Sequence, residues 1–261
     1  MKARQFTAPD AGMEARWQLR RSLAIGLTCL CLLLPATAGA DDQRRDPWES
    51  FNRKVFVFND AVDRWFLEPI SRGWRFAIGE TGMVSIDNIS ENLRAPVYLF
   101  NNIVQLKPRA AFDVVQRTIL NSTLGVAGII DIAADIGIPS PREDFGQSLA
   151  RWDVPSGPYV VLPLLGPSTV RDAGGLLVDT PLLIWPYFIN SIFITTSYTA
   201  GVTVNTRALL LDEIATAKSG ALDYYALARN AYLQRRDALI ADHEEAGPQE
   251  NEDDLYYFDF E

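Results

Sequence analysis

Histidine and cysteine are almost missing from this chain. Its 261 residues hold one histidine, His243, and two cysteines, Cys29 and Cys31, with neither type in between. A zinc site built from Cys and His needs three or four such ligands, so none is expected. A Ser-His-Asp or Cys-His arrangement needs a histidine beside the nucleophile, and His243 stands in an acidic stretch. Phosphate-cradling loops are missing too: neither G-x-x-x-x-G-K-[ST] nor G-x-G-x-x-G occurs, nor does a G-x-S-x-G nucleophile elbow. Adjacent carboxylates such as Glu143-Asp144 and Asp212-Glu213 read as solvated faces and helix caps, because adjacency does not place two carboxyls around one substrate bond. A basic excess is lacking, with a formal net charge of −9. Nucleic acid, whose phosphates need a basic face, is excluded as a partner. Together these absences predict no enzyme, no cofactor and no metal.

What is present begins with an export signal. Arg16, Arg20 and Arg21 precede an apolar run over 22–34, Pro35 breaks it, and Ala38-Gly39-Ala40 supplies small residues before Asp41. That is a charged n-region, an h-region and an A-x-A cleavage site, too short for a comfortable membrane span. Either Met1 or Met13 can serve as the start, and Met13 gives the more ordinary n-region. Cys29 follows Leu27-Thr28 inside the h-region, without the small residues of a lipobox, so the reading is cleavage after Ala40 rather than lipidation. The 221 residues that remain contain no cysteine and must be held by their core.

Charge divides the rest in two. Residues 242–261 carry nine acidic residues and no Lys or Arg, whereas 41–241 carry 22 acidic and 19 basic residues. The predicted domains are therefore a signal peptide over 1–40, a nearly neutral body over 41–241 and an acidic tail over 242–261 expected to be disordered. The tail ends in an aromatic cluster from Tyr256 to Phe260, read as a mobile end in preference to a docking peptide.

The body reads as mainly α, in short helices punctuated by Pro and Gly, with few or no strands. Trp48, Phe51, Val55, Phe58, Val62 and Trp65 recur at steps of three and four and form one apolar stripe. Asp46-Pro47 starts that helix, and Pro69 and Gly73 are expected to end it. Further helices are expected over 83–92, stopped by Ala95-Pro96, then over 97–104, from Lys107-Pro108 onward, 124–136, 144–152, after Ser168-Thr169, 205–214 and 222–240. The run 174–194 is long enough to span a bilayer, but Asp179, Pro181, Pro186 and Asn190 interrupt it. It reads as broken helices, buried or lying in a membrane interface.

Several blocks together carry a family resemblance. Asp46-Pro47-Trp48-Glu49-Ser50-Phe51-Asn52-Arg53 with Phe56-Val57-Phe58-Asn59-Asp60 resembles the opening of the MlaA (VacJ) outer-membrane family. Asn88-Ile89-Ser90-Glu91-Asn92-Leu93-Arg94-Ala95-Pro96 and Asn121-Ser122-Thr123-Leu124-Gly125 are similar to its next blocks. Asp144-Phe145-Gly146-Gln147-Ser148-Leu149, Gly157-Pro158-Tyr159 and the run from Leu162 to Asp172 are the most specific. Asn205-Thr206-Arg207 and Ala231-Tyr232-Leu233-Gln234-Arg235-Arg236-Asp237 resemble its ending.

The resemblance implies a ring of helices around a central amphipathic channel, set in the periplasmic face of the outer membrane. It implies removal of mislocalised phospholipid from the outer leaflet, delivery to a soluble periplasmic lipid carrier, and association with a trimeric porin. No bond is made or broken; an amphipathic route offsets the exposure of lipid tails to water, about 0.8 kcal/mol per CH₂. Leu124, Val126, Ile129, Ile130, Leu182, Leu183, Trp185, Phe188 and Phe193 are the candidate membrane-facing or channel-lining residues, beside the 48–65 stripe. Gly146, Gly157, Gly166 and Pro167 are expected to shape turns, and Arg171 with Asp172 to cap a helix or pair. The alternative is a porin-bound scaffold of the envelope that moves no lipid.

Overall fold

The first helix does not end where its proline and glycine suggest. In the computed structural model, which describes residues 46–183 and 192–241, helix α1 (Glu49–Val62) runs through a π-helical turn (Asp63–Leu67) into α2 (Glu68–Val104). Pro69 falls in the first turn of α2, where a missing N–H costs least, and the wider π turn lies just before it. Gly73 is followed by further helix. The break comes at Gly79, whose φ of 71° and ψ of 167° kink α2. Pro96 does not stop the chain either. Ala95 and Val97 on either side of it are buried, so tertiary packing offsets the lost backbone hydrogen bond, and the helices expected over 83–92 and 97–104 merge.

Helix α3 (Pro108–Thr123) and helix α7 (Ile192–Leu209) pack against α2. The helix expected over 124–136 shrinks to the single turn α4 (Ile132–Asp135). Val126, Ala127 and Gly128 all take positive φ, which turns the chain before a helix can form. Helix α5 (Phe145–Arg151) starts with a capping box: Asp144 accepts from the Gln147 backbone and the Gln147 side chain returns to the Asp144 N–H.

The strands are few, as expected: one antiparallel hairpin of β1 (Tyr159–Leu162) and β2 (Gly166–Thr169), with Tyr159 opposite Thr169 and Leu162 opposite Gly166. Thr169 then caps α6 (Val170–Asp179) by accepting from the Asp172 N–H, and a short 3₁₀ turn (Thr180–Leu182) follows. The expected helix over 205–214 is instead the end of α7 and the start of α8 (Leu211–Gly220). Asn205 is buried, accepts from the Trp74 indole at 3.0 Å and donates to the Met83 carbonyl at 2.9 Å. Helix α9 (Tyr224–Ala241) closes the described fold near its expected bounds.

The apolar core is small. Tyr159, Val161 and Tyr225 form its centre, with Val55, Phe56, Tyr232 and Leu233 packed around it. It joins the hairpin, α1 and α9. The signal segment, both cysteines, the acidic tail with His243, and the candidates Trp185 and Phe188 lie outside the described residues, as does the side chain of Phe193.

Candidate functional site

The polarity of this fold is turned inside out. Among the described residues, the buried positions hold more polar and charged side chains than apolar ones, and most of the buried apolar residues are small. Large apolar side chains sit outside instead: Trp65 is 70% exposed, Phe66 65% and Phe76 94%. A protein surrounded only by water buries such groups, at about 25 cal/mol per Å². Contiguous exposed apolar surface marks a face that meets lipid or another protein.

Helix α1 shows the arrangement at one element. Trp48, Phe51, Phe58 and Trp65 are exposed, and Val55 and Val62 are half-buried. Its inward side adds polar groups to Val55 and Phe56, which pack on the core. Asn52, fully buried, donates to Asp46 at 2.7 Å and to the Tyr159 carbonyl at 3.1 Å, and accepts from the Val161 N–H at 2.9 Å. Two turns on, Asn59 donates to the Leu162 carbonyl at 2.9 Å and accepts from the Leu164 N–H at 2.8 Å. Tyr225 donates to the other oxygen of Asp46, which ties α9 to the same point. At the far end Asp63 pairs with Arg207 at 2.7 Å and with Lys218 at 2.8 Å. Burial pushes the Asp63 carboxyl up, but those two cations outweigh it and hold it below the ordinary range.

A second apolar surface is the loop between α3 and α4. Leu124, Val126, Ile129 and Ile130 all point outward. Beneath them Asp131 accepts from Arg117 at 2.5 Å and from Asn121 at 2.8 Å, and Asn121 accepts from the Ala133 N–H at 3.0 Å. Asn88 on α2 donates to the Ile129 carbonyl at 3.2 Å. Gly125 is required here, since a Cβ would meet the Ile130 carbonyl oxygen at 2.2 Å. The loop is therefore a rigid apolar edge on a polar base. Leu164 and Leu165 at the hairpin tip and Leu176 and Leu177 on α6 add further exposed apolar groups. Leu182 and Leu183, at the end of the 3₁₀ turn, are half-buried.

Two buried polar networks fix the middle of the fold. Asn101 donates to Asp179 at 2.9 Å and accepts from Ser148 at 2.8 Å, while Gln105 and Lys107 reach Glu143 at 2.9 and 2.8 Å. Asp179 thus serves a structural purpose inside the apolar run that it interrupts. It also accepts from the Phe145 N–H at 2.9 Å, and burial raises its carboxyl above the ordinary range. The other network centres on Arg236, which grips Asp144 at 2.5 and 2.6 Å and Asp172 at 3.0 Å. Tyr232 adds a 2.6 Å hydrogen bond to Asp172.

Arg171 pairs with Asp172 at 3.0 Å, in line with its expected structural role. Gly157 and Gly166 take positive φ in turns, but Gly146 does not: it sits inside α5, where a Cβ would meet Arg236 and Asp172 at 2.5 Å. Each network joins its carboxylates to cations or amides from other elements. They position surfaces rather than present a reactive group.

No helix among the described residues is long and apolar enough to cross a membrane. The buried asparagines are the feature that periodicity hides, because a polar residue opposite an apolar stripe reads as solvated. Their only sequence signal is the seven-residue spacing of Asn52 and Asn59.

Comparison with known proteins gives one consistent result. Residues 44–239 match the family model described as MlaA lipoprotein. The "Intermembrane phospholipid transport system lipoprotein MlaA" of Escherichia coli (strain K12) is 34% identical over 256 residues, covering 92% of this chain and 98% of that protein. Its counterpart of the same description in Shigella flexneri matches to the same extent. A solved structure described as "Structural basis for maintenance of bacterial outer membrane lipid asymmetry" superposes with a TM-score of 0.65 at 33% identity, covering 76% of this chain and all of that one.

Proposed function

The chain belongs to the MlaA lipoprotein family, and from that membership we propose that it works in intermembrane phospholipid transport and maintains the lipid asymmetry of the outer membrane. It takes mislocalised phospholipid from the outer leaflet, passes it through an amphipathic channel and hands it to a soluble periplasmic carrier. A trimeric porin holds it in place. The step is physical transfer, with no covalent chemistry. One observation carries the reading: large apolar side chains face outward over a base of buried asparagines and ion pairs. Such a body gains by lying in lipid, where its outer apolar groups leave water and its inner polar groups stay paired.

Within this proposal the 48–65 stripe and the loop bearing Leu124, Val126, Ile129 and Ile130 meet lipid acyl chains. Leu182, Leu183, Trp185, Phe188 and Phe193 belong to the same membrane-facing or channel-lining surface. The chain is exported by a signal cleaved after Ala40, leaving the 41–241 domain and the acidic tail. It stays at the membrane through embedded helices and partners rather than an acyl anchor. An intact mass beginning at Asp41 with no added lipid supports that; an acylated N-terminus removes it. The functional test is a strain deleted for this chain. Surface phospholipid rises on deletion and returns to normal on re-expression; unchanged surface phospholipid in the deletion strain refutes transport and leaves the scaffold reading.

A further inference from the structure

We infer that the exposed face of α1 and of the π-helical turn that continues it recognises the negatively charged headgroups of anionic glycerophospholipids, through Lys54 and Arg64 set among its aromatic side chains. The inference rests on the reading of this face as lipid-facing and adds the class of lipid that it selects.

The evidence is the pairing of charges along this stretch. Each carboxylate from 49 to 68 is committed to another cation: Glu49 to Arg53 at 2.8 Å, Asp60 to Lys218 at 2.8 Å, Asp63 to Arg207 and Lys218, and Glu68 to Arg72 at 2.7 Å. Arg53 is further held by Asp223 at 2.7 Å and Arg75 by Asp212 at 2.8 Å. Lys54 and Arg64 are both exposed, and no described carboxylate pairs with either. Two cations are thus left over, one on α1 and one on the π-helical turn that continues it, along a stretch whose outer face is apolar.

Their surroundings fit a lipid surface better than water. Lys54 stands one turn from Phe51 and one turn from Phe58, with exposed Val57 beside it. A lysine so placed lays its methylenes along apolar neighbours and extends its ammonium to the headgroup level. The Arg64 guanidinium lies 6.0 Å from the centroid of the exposed Trp65 ring, which pairs a phosphate-binding group with an indole suited to the interface. The ten-residue step from Lys54 to Arg64 spans about 15 Å of helix, so they reach different lipid molecules.

A zwitterionic headgroup neutralises its own phosphate. A net-anionic one leaves a charge for these side chains, and each cation near such a surface favours it about fivefold.

The test uses the full chain in phosphatidylcholine vesicles carrying an equal fraction of either brominated phosphatidylglycerol or brominated phosphatidylcholine, read by tryptophan quenching. Several-fold stronger quenching by the brominated phosphatidylglycerol, weakening as salt is raised, is the expected result. The double variant K54Q/R64Q is expected to be quenched equally by both lipids, with its phosphatidylcholine quenching unchanged. The variant W48F/W65F removes the indoles of this face and should lose most of the preferential quenching. Equal quenching of the unaltered protein by both lipids overturns the inference. So does a preference that survives K54Q/R64Q, or one that persists in W48F/W65F. Quenching by neither lipid overturns the lipid-facing reading itself.

Discussion

Asn52 does as much for this fold as any apolar side chain. It is fully buried and joins Asp46, the Tyr159 carbonyl and the Val161 N–H. In Asn52→Ala those groups lose a partner while still buried, which should cost about 2–3 kcal/mol. Denaturant unfolding in detergent checks this; a loss under about 0.5 kcal/mol would be the size of an ordinary surface change and would contradict the role. Asp172 sets a pH dependence. Burial pushes its carboxyl up, but Arg236, Tyr232 and Arg171 outweigh that and hold it below the ordinary carboxylate range. Its folded pKa is thus depressed, so its contribution is fully present above the unfolded carboxylate value and is lost as pH falls through the folded one. The unaltered protein should lose stability on acidification across that window, and Asp172→Asn, already weakened, should show a flatter profile there. Equal slopes for the two would rule out this contribution. Of these residues, sequence reading found Asp172 through its place near a helix start. It gave Asn52 no structural role, because apolar periodicity carries no information about which face meets solvent.

At the scale of elements, glycines decide where helices bend and touch. Gly79 takes φ 71° and ψ 167°, a conformation open to little but glycine. Gly79→Ala has room for its Cβ yet should cost about 1–3 kcal/mol in backbone strain. Gly175 lets α6 press on α5, since a Cβ there would meet the Gly146 N at 2.5 Å and its Cα at 3.0 Å. Gly175→Ala should force the two helices apart at about 1–3 kcal/mol. Thermal melts of both variants check these values, and an unshifted melting point for either denies the constraint. The capped helix starts at Asp144 and Thr169 were legible because capping is a local code. Pro69 and Pro96 misled for the converse reason: a proline within a helix survives only where packing and a π turn compensate, and that is decided by distant residues. Positive φ at Val126 and Ala127 left no local trace at all.

At the scale of the molecule, solvent is part of the fold. Mainly helical character and the 48–65 stripe could be read directly from residue types. The orientation of the apolar surface could not, since the same stripe serves a core or a bilayer. The double variant Phe51→Asp/Phe58→Asp alters only exposed positions, so its far-UV circular dichroism in detergent should match the parent. Its share in the membrane fraction should fall and surface phospholipid should rise. Loss of helical signal would mean that the stripe is structural after all. Normal fractionation with normal surface phospholipid would mean that this face neither anchors nor works.

The asparagine pair on α1 also solves a problem of measurement. Seven residues of helix advance about 10.5 Å, and the three residues of β1 from the Tyr159 carbonyl to the Leu162 carbonyl, which the two asparagines bind, advance about 10 Å. The two rulers agree over this one interval, so a helix can present amide groups to β1 at the pitch a neighbouring strand would use. Asn52 and Asn59 act as two rungs of a third strand that has no backbone of its own. The outer edge of β1 is thereby closed to any strand from another chain. Inserting or deleting one residue between the two asparagines would throw the rulers out of step and reopen that edge.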